Sequence, residues 1–404
     1  MKKSYVMWNT VGSIYYSFCQ WIITILVVHI AAYEAAGYLS LAMTMSSSFS
    51  AISLFSMRNY QISDVKGEFE TSQYISSRVW TSLVAFIACA IVAMSGNSTY
   101  QMLCIDAFML IRIAEAITDV MHGVNQKYNR YDYIGISYIL RGTVTVIGFS
   151  VLLYICRNLT ITLFAVAGMN LLLSVGYDCT RTFSLEKYRI RLNEGRIKTL
   201  LIQCIPLVVF TFLLSLENLI PKNVLQYYYG TESLGIYSSI ASPTLIVQVF
   251  ASVVFSPFLP QLAQVYNEGE IVRFKAGLRK VYLFIAVVCV VVVIGAMILG
   301  RWGLSLLFGA GILEYYELFM PIVLCTLFTG FCWIISAIVI MLREIKKLLI
   351  AIIVDFALCV ALVVPIVRTV GQNGVSIVQL ITLPLLILMM IGICEWNCKK
   401  ADGK

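Results

Sequence analysis

The chain has 404 residues, of which 60% are hydrophobic and only 12% charged; its mean hydropathy is +0.87 and its formal net charge is +8. Soluble proteins carry about 25% charged residues, so this composition excludes a soluble enzyme, a disordered regulator and a secreted disulfide scaffold, and leaves a polytopic membrane protein. The twelve cysteines have no CxxC spacing and mostly sit in apolar runs, where a free thiol behaves as a small hydrophobe.

A membrane-spanning helix needs about 20 mostly apolar residues. Twelve such runs follow in order, at 8–30, 35–56, 77–95, 101–121, 135–155, 158–180, 198–220, 233–256, 278–300, 315–341, 347–367 and 374–395. They are apolar on every face and about twice the length of a barrel strand, so helices are expected. Lys2 and Lys3 precede a run too long for a signal peptide, which is therefore read as the first span. Most of the 29 Lys and Arg fall on one set of connecting segments, whereas the opposite set holds only Arg157, Lys222, Arg301 and Arg368; Arg112 and Arg141 lie within spans. The positive-inside rule then places both termini in the cytoplasm. The outer loops are short, the longest expected at about 301–314, and none is a soluble domain.

Residues 34–40 (Glu-Ala-Ala-Gly-Tyr-Leu-Ser) match residues 232–238 (Glu-Ser-Leu-Gly-Ile-Tyr-Ser), and each stretch opens an even-numbered span. The expected fold is therefore all-α: two six-helix bundles, 1–197 and 198–404, related by a parallel pseudo-two-fold repeat. All eight prolines fall in the second half. They are read as packing kinks, or, for Pro206 and Pro221, as a bend in the seventh span that follows the opening of a cavity.

Neither a P-loop nor a metallohydrolase or serine-hydrolase motif is present, so no cofactor or catalytic residue is expected. His29 and His122, near span ends, read as interfacial. The strongest local signal is charge at membrane depth, which costs at least about 2.5 kcal/mol per group at the centre and usually pairs or lines a wet cavity. The fourth span concentrates it in Asp106, Arg112, Glu115 and Asp119, and the spacing puts the last three on one helix face. Arg141, Glu217 and Asp355 add to it from other spans. The cations Arg112, Arg141 and Lys222 suit a phosphate or diphosphate. Glu115, Asp119, Glu217 and Asp355 suit charge pairing or the binding of a coupling H⁺ or Na⁺.

Four stretches resemble bacterial O-antigen and capsule flippases, the Wzx-type polysaccharide-export branch of the superfamily shared with multidrug (MATE) exporters. They are Ser56–Asp64, with Arg58, Tyr60, Gln61 and Asp64; Ala114–Asp119 with Gly123, Gln126, Arg130, Ser137 and Leu140–Gly142; Ser215–Lys222, with Glu217, Asn218 and Pro221; and Leu307–Gly309. Lys222 stands where that family commonly has arginine, with one extra residue between Asn218 and Pro221. The resemblance implies a MATE-like fold in the bacterial inner membrane and a flippase for oligosaccharide repeat units linked to undecaprenyl diphosphate. Arg112, Arg141, Lys222, Asn218, Arg58 and Gln61 would contact the diphosphate or sugar, with Arg58 and Arg78 meeting it first from the cytoplasmic side. Transport would be driven by H⁺, Na⁺ or the membrane potential. A monomer is expected, in contact with membrane lipids, a polysaccharide polymerase and glycosyltransferases, and with no nucleic acid. A multidrug antiporter of the same superfamily is the alternative. A membrane-embedded polymerase or glycosyltransferase fits less well, because it would want a larger outer loop, and a channel would not call for a repeat of this kind.

Overall fold

A computed structural model describes residues 3–64, 68–191, 195–244, 255 and 258–402, and every regular element among them is helical. The first part of the chain runs α1 (Lys3–Leu54), α2 (Met57–Ser63), α3 (Thr71–Ala93), α4 (Thr99–Lys127), α5 (Tyr131–Cys156), α6 (Leu159–Leu173), a π-helical turn (Ser174–Cys179) and α7 (Thr180–Leu185). After α8 (Gly195–Ala241) come a short 3-10 turn at Ser242–Thr244, α9 (Phe258–Asn267), α10 (Ile271–Phe308), a 3-10 segment at Ala310–Leu318, α11 (Phe319–Met341), α12 (Ile345–Val370) and α13 (Asn373–Asp402).

Among the described residues, nine helical stretches are long and apolar enough to cross a membrane. Two of them, in α1 and α8, each hold two of the twelve expected runs and are broken once inside, at Ala32 and at Gly230. The remaining run, the fourth, is α4, whose Asp106, Arg112, Glu115, Asp119 and Lys127 make it too polar to count among the nine. Within the eighth run, residues 245–254 and 256 lie outside the described residues, as do Lys2, Lys66 and Pro257.

One sequence expectation, the outer loop at 301–314, is corrected. The segment 301–314 is not an open loop, because α10 continues to Phe308 and a 3-10 segment follows Gly309 directly. Helical dihedrals continue through Pro206 and Pro221, and the one break inside α8 is at Gly230; transmembrane helices tolerate proline where the freed carbonyls find other partners.

The chain divides into two compact units, Met1–Leu219 and Ile220–Lys404, and the division falls within α8. In the first unit α4 is the hub, packed by α1, α2, α3 and α6. Its start is set by a capping box in which the Ser98 hydroxyl accepts from the Gln101 backbone and the Gln101 side chain accepts from the Ser98 backbone. The contact between α1 and α5 is glycine-built: a Cβ on Gly12 would collide with the Gly135 backbone, and one on Gly135 with the backbone of Trp8. Small residues allow this approach in lipid, where packing replaces the hydrophobic drive between helices. In the second unit α13 packs on α11 and α12. There Cys359, Val363, Val367 and Val378 form a buried cluster that Ile220 and Val224 flank.

Candidate functional site

The polar chemistry of the first unit lies along one side of α4. Arg112, Glu115, Asp119 and Gln126 are all partly accessible, whereas their neighbours Ala114, Thr118 and His122 are buried. A rise of 1.5 Å per residue makes this track about 21 Å long.

At one end, Asp119 sits between two guanidiniums. Arg78 approaches its carboxylate at 3.1 Å and Arg58 at 3.6 Å. Arg78 is 1% exposed and also donates to the Ser53 carbonyl, so it is enclosed within α3 and is not the group a headgroup would meet first. Arg58 and Asp119 are each 22% accessible, and Arg58 donates to the Gln126 side-chain oxygen at 3.1 Å. Two cations therefore share one anion, which leaves this cluster with one net positive charge among the described residues. Gln61, one turn beyond Arg58 on α2, is fully buried over Gly123, where a Cβ would strike its amide oxygen.

Asp64, which ends α2, ties the end of that helix to residues just before α3. Its carboxylate accepts from the backbone N–H of Glu68 at 2.8 Å and of Phe69 at 3.1 Å, and from the Tyr74 hydroxyl at 3.0 Å. Burial pushes this carboxyl up, but those three donors outweigh it and hold Asp64 below the usual aspartate range.

Further along the track, Arg112 donates to Glu115 at 2.6 Å, the i, i+3 pair readable from the sequence. The Tyr16 hydroxyl donates to the other Glu115 oxygen, and Gln20 donates to Tyr16 at 2.9 Å. Tyr16 in turn stacks on Tyr138, with ring centroids 5.7 Å apart. This group carries no net charge.

Arg141 behaves differently. It is 1% exposed and pairs with Asp178 at 3.2 Å, and it also donates to the Ser174 hydroxyl at 2.9 Å, to Asn170 at 3.2 Å and to Thr118. His122 lies 3.6 Å from the other Asp178 oxygen. His122 is thus a buried member of this network and not an interfacial side chain, because α4 turns it inward beside Thr118. The π-helical turn puts Ser174 and Asp178 on the same inward side of the chain; such turns often mark functional positions in helices. Sequence reading missed Asp178, Asn170 and Tyr16; the presence of an aspartate inside the sixth apolar run was the signal available for the first.

The remaining candidates fall in both units. Glu217 and Asn218 belong to the first unit, Glu217 buried and Asn218 exposed. Lys222 and Asp355 belong to the second unit, Lys222 partly accessible and Asp355 fully buried in α12.

Comparison with known proteins adds three findings. A family model described as "Polysaccharide biosynthesis protein" matches residues 68–317. The capsular polysaccharide biosynthesis protein CapF of Staphylococcus aureus is 28% identical over 340 residues, 81% of each chain. Among solved structures, the chain is similar to a multidrug resistance MATE family transporter of the MOP superfamily in its inward-facing conformation (TM-score 0.71, 13% identity, 98% of this chain and 95% of that one). It is also similar to the lipid II flippase MurJ in an inward closed conformation (TM-score 0.74, 14% identity, 96% and 87%) and to a MOP superfamily transporter from Pyrococcus furiosus (TM-score 0.66, 14% identity, 98% and 94%). At these identities the structural likeness establishes the fold, an all-α, MATE-like membrane architecture.

Proposed function

Because the chain belongs to the polysaccharide biosynthesis protein family, we propose that it is a flippase and not an enzyme, moving oligosaccharide repeat units linked to undecaprenyl diphosphate from the inner to the outer leaflet of the bacterial inner membrane. Both termini then face the cytoplasm, in keeping with the charge bias of the connecting segments. The substrate's diphosphate is anionic and its sugars are large and polar, so a path through hydrocarbon needs cationic and hydrogen-bonding side chains between packed helices.

One observation carries the assignment of the headgroup contact: Arg58 and Arg78 share the single Asp119 carboxylate, and Arg58 is the accessible member. A guanidinium with charge left over is the group a diphosphate would engage. Arg112 and Arg141 are each neutralised by a carboxylate of their own, so the anion site moves from them to Arg58. Lys222 and Asn218 remain headgroup or sugar contacts. Glu217 and Asp355 remain candidates for H⁺ or Na⁺ coupling. The cycle is alternating access. An inside-negative potential favours the outward passage of the diphosphate by about 2.3 kcal/mol per charge per 100 mV. The protein works as a monomer beside the polymerase and glycosyltransferases of its pathway.

The MATE likeness supports a second reading, a multidrug antiporter. A cluster with net positive charge disfavours it, since organic cations would be repelled. Gene deletion and complementation separate the two. A flippase mutant loses long-chain surface polysaccharide and accumulates the lipid-linked repeat unit on the cytoplasmic face. An antiporter mutant keeps its polysaccharide and becomes sensitive to organic cations.

A further inference from the structure

We infer that Tyr16, Gln20, Arg112 and Glu115 form the subsite for the sugar attached directly to the diphosphate; this rests on the flippase reading above. The group is neutral, because Arg112 is satisfied by Glu115 at 2.6 Å, so it is poorly suited to an anion and well suited to hydroxyls. It offers a carboxylate and a phenol oxygen as acceptors, with guanidinium and amide N–H as donors. The Nε of Arg112 is buried with no hydrogen-bond partner, which leaves one fixed donor still to be satisfied. The stacked Tyr16 and Tyr138 rings supply an apolar surface beside these polar atoms.

Accessibility separates this group from a purely structural pair. Arg112 and Glu115 are 18% and 20% accessible, whereas both members of the Arg141–Asp178 pair are 2%. Position along the helix also fits. Glu115 and Arg112 lie four and seven residues from Asp119 on the same face, about 6 and 10 Å along α4. A diphosphate engaged by Arg58 beside Asp119 would bring its first sugar to this group.

The test measures binding to the purified full-length protein of two lipids, undecaprenyl diphosphate and undecaprenyl diphosphate bearing one hexose, with glucose, galactose and N-acetylglucosamine tried in turn. The readout is the preference ratio between sugar-bearing and bare lipid. Wild type should prefer at least one sugar-bearing lipid by about tenfold. Tyr16→Phe and Glu115→Gln should each bring that ratio close to one, and two variants guard against misfolding of either. Arg58→Gln should weaken both lipids and keep the ratio. A wild-type ratio of one, or a ratio that survives both Tyr16→Phe and Glu115→Gln, overturns the inference while leaving the flippase reading intact. A wild type that binds neither lipid overturns the flippase reading itself.

Discussion

Ala32 and Gly230 stand 198 residues apart and break their helices with nearly the same backbone dihedrals, φ 68° and ψ 177° at Ala32 and φ 84° and ψ 171° at Gly230. The offset equals that between the two matching heptapeptides, each of which begins two residues after its break. Only glycine adopts this region without strain, and another residue there costs about 1–3 kcal/mol. Nothing lies within 4 Å of a Cβ built on Gly230, so the cost of a side chain at that position is backbone strain alone. Ala32→Gly is therefore expected to stabilise the protein by about 1 kcal/mol, and Gly230→Ala to destabilise it by about 1–3 kcal/mol. Thermal unfolding in detergent reads both; a stabilising Gly230→Ala would show that the helix does not break there.

Arg141 and Asp178 form an enclosed pair, with each side chain 2% accessible. Removing one partner of such a pair leaves a buried charge and costs about 3–5 kcal/mol, while replacing both with apolar groups costs far less. Arg141→Met and Asp178→Leu should each lower stability by that order, and the double variant should recover at least about 1 kcal/mol of their sum. A double-mutant cycle measures this coupling. Simple additivity would show that the pair is not the unit that holds α4, α5 and the π-helical turn together.

How much of this was legible in the sequence depends on how local the signal is. Each of the twelve apolar runs falls on helix over most of its described residues, with only end residues such as Phe55, Ser56, Met94, Ser95 and Asn158 outside, because a span announces itself by length and hydropathy alone. The Arg112–Glu115 pair was legible because i, i+3 residues on a helix are neighbours. Partners on different helices were not. Asp119 faces Arg58 and Arg78, and Arg141 finds Asp178 through a π-helical turn that shifts the register by which faces are counted. Charge at membrane depth revealed that a polar site exists, but which cation keeps an uncompensated charge depends on distances between helices.

The Arg58–Asp119–Arg78 cluster predicts a division of labour between two arginines. Arg58 is 22% accessible and Arg78 is enclosed. Arg58→Gln should therefore reduce surface polysaccharide at least tenfold in complementation at matched expression, with little change in unfolding temperature. Arg78→Gln removes the buried cation that bridges the Asp119 carboxylate and the Ser53 carbonyl, although Arg58 still faces the first and the Thr81 hydroxyl still donates to the second; it should cost about 1–3 kcal/mol of stability and lower the amount of protein in the membrane. Arg58→Lys should restore part of the activity lost in Arg58→Gln, because lysine keeps the charge and loses the fork. Full activity of Arg58→Gln would remove Arg58 from the headgroup site.

Asp64, at the end of α2, makes the protein's stability sensitive to pH. The donors on its carboxylate hold its folded pKa below the ordinary aspartate range, while the unfolded chain keeps the ordinary value of about 3.9. A carboxyl whose pKa is depressed by folding contributes stability that is fully present above the unfolded value and is lost as the pH falls through the folded one. Asp64→Asn keeps an acceptor oxygen but no charge, so the variant should unfold at a lower temperature than wild type at neutral pH. That gap should then narrow as the pH drops below about 4, where the wild-type carboxyl takes up its proton. Unfolding temperatures of the two proteins between about pH 7 and pH 3 provide the check. A gap that stays constant over this range would mean that the charge on Asp64 does not strengthen its contacts with Glu68, Phe69 and Tyr74.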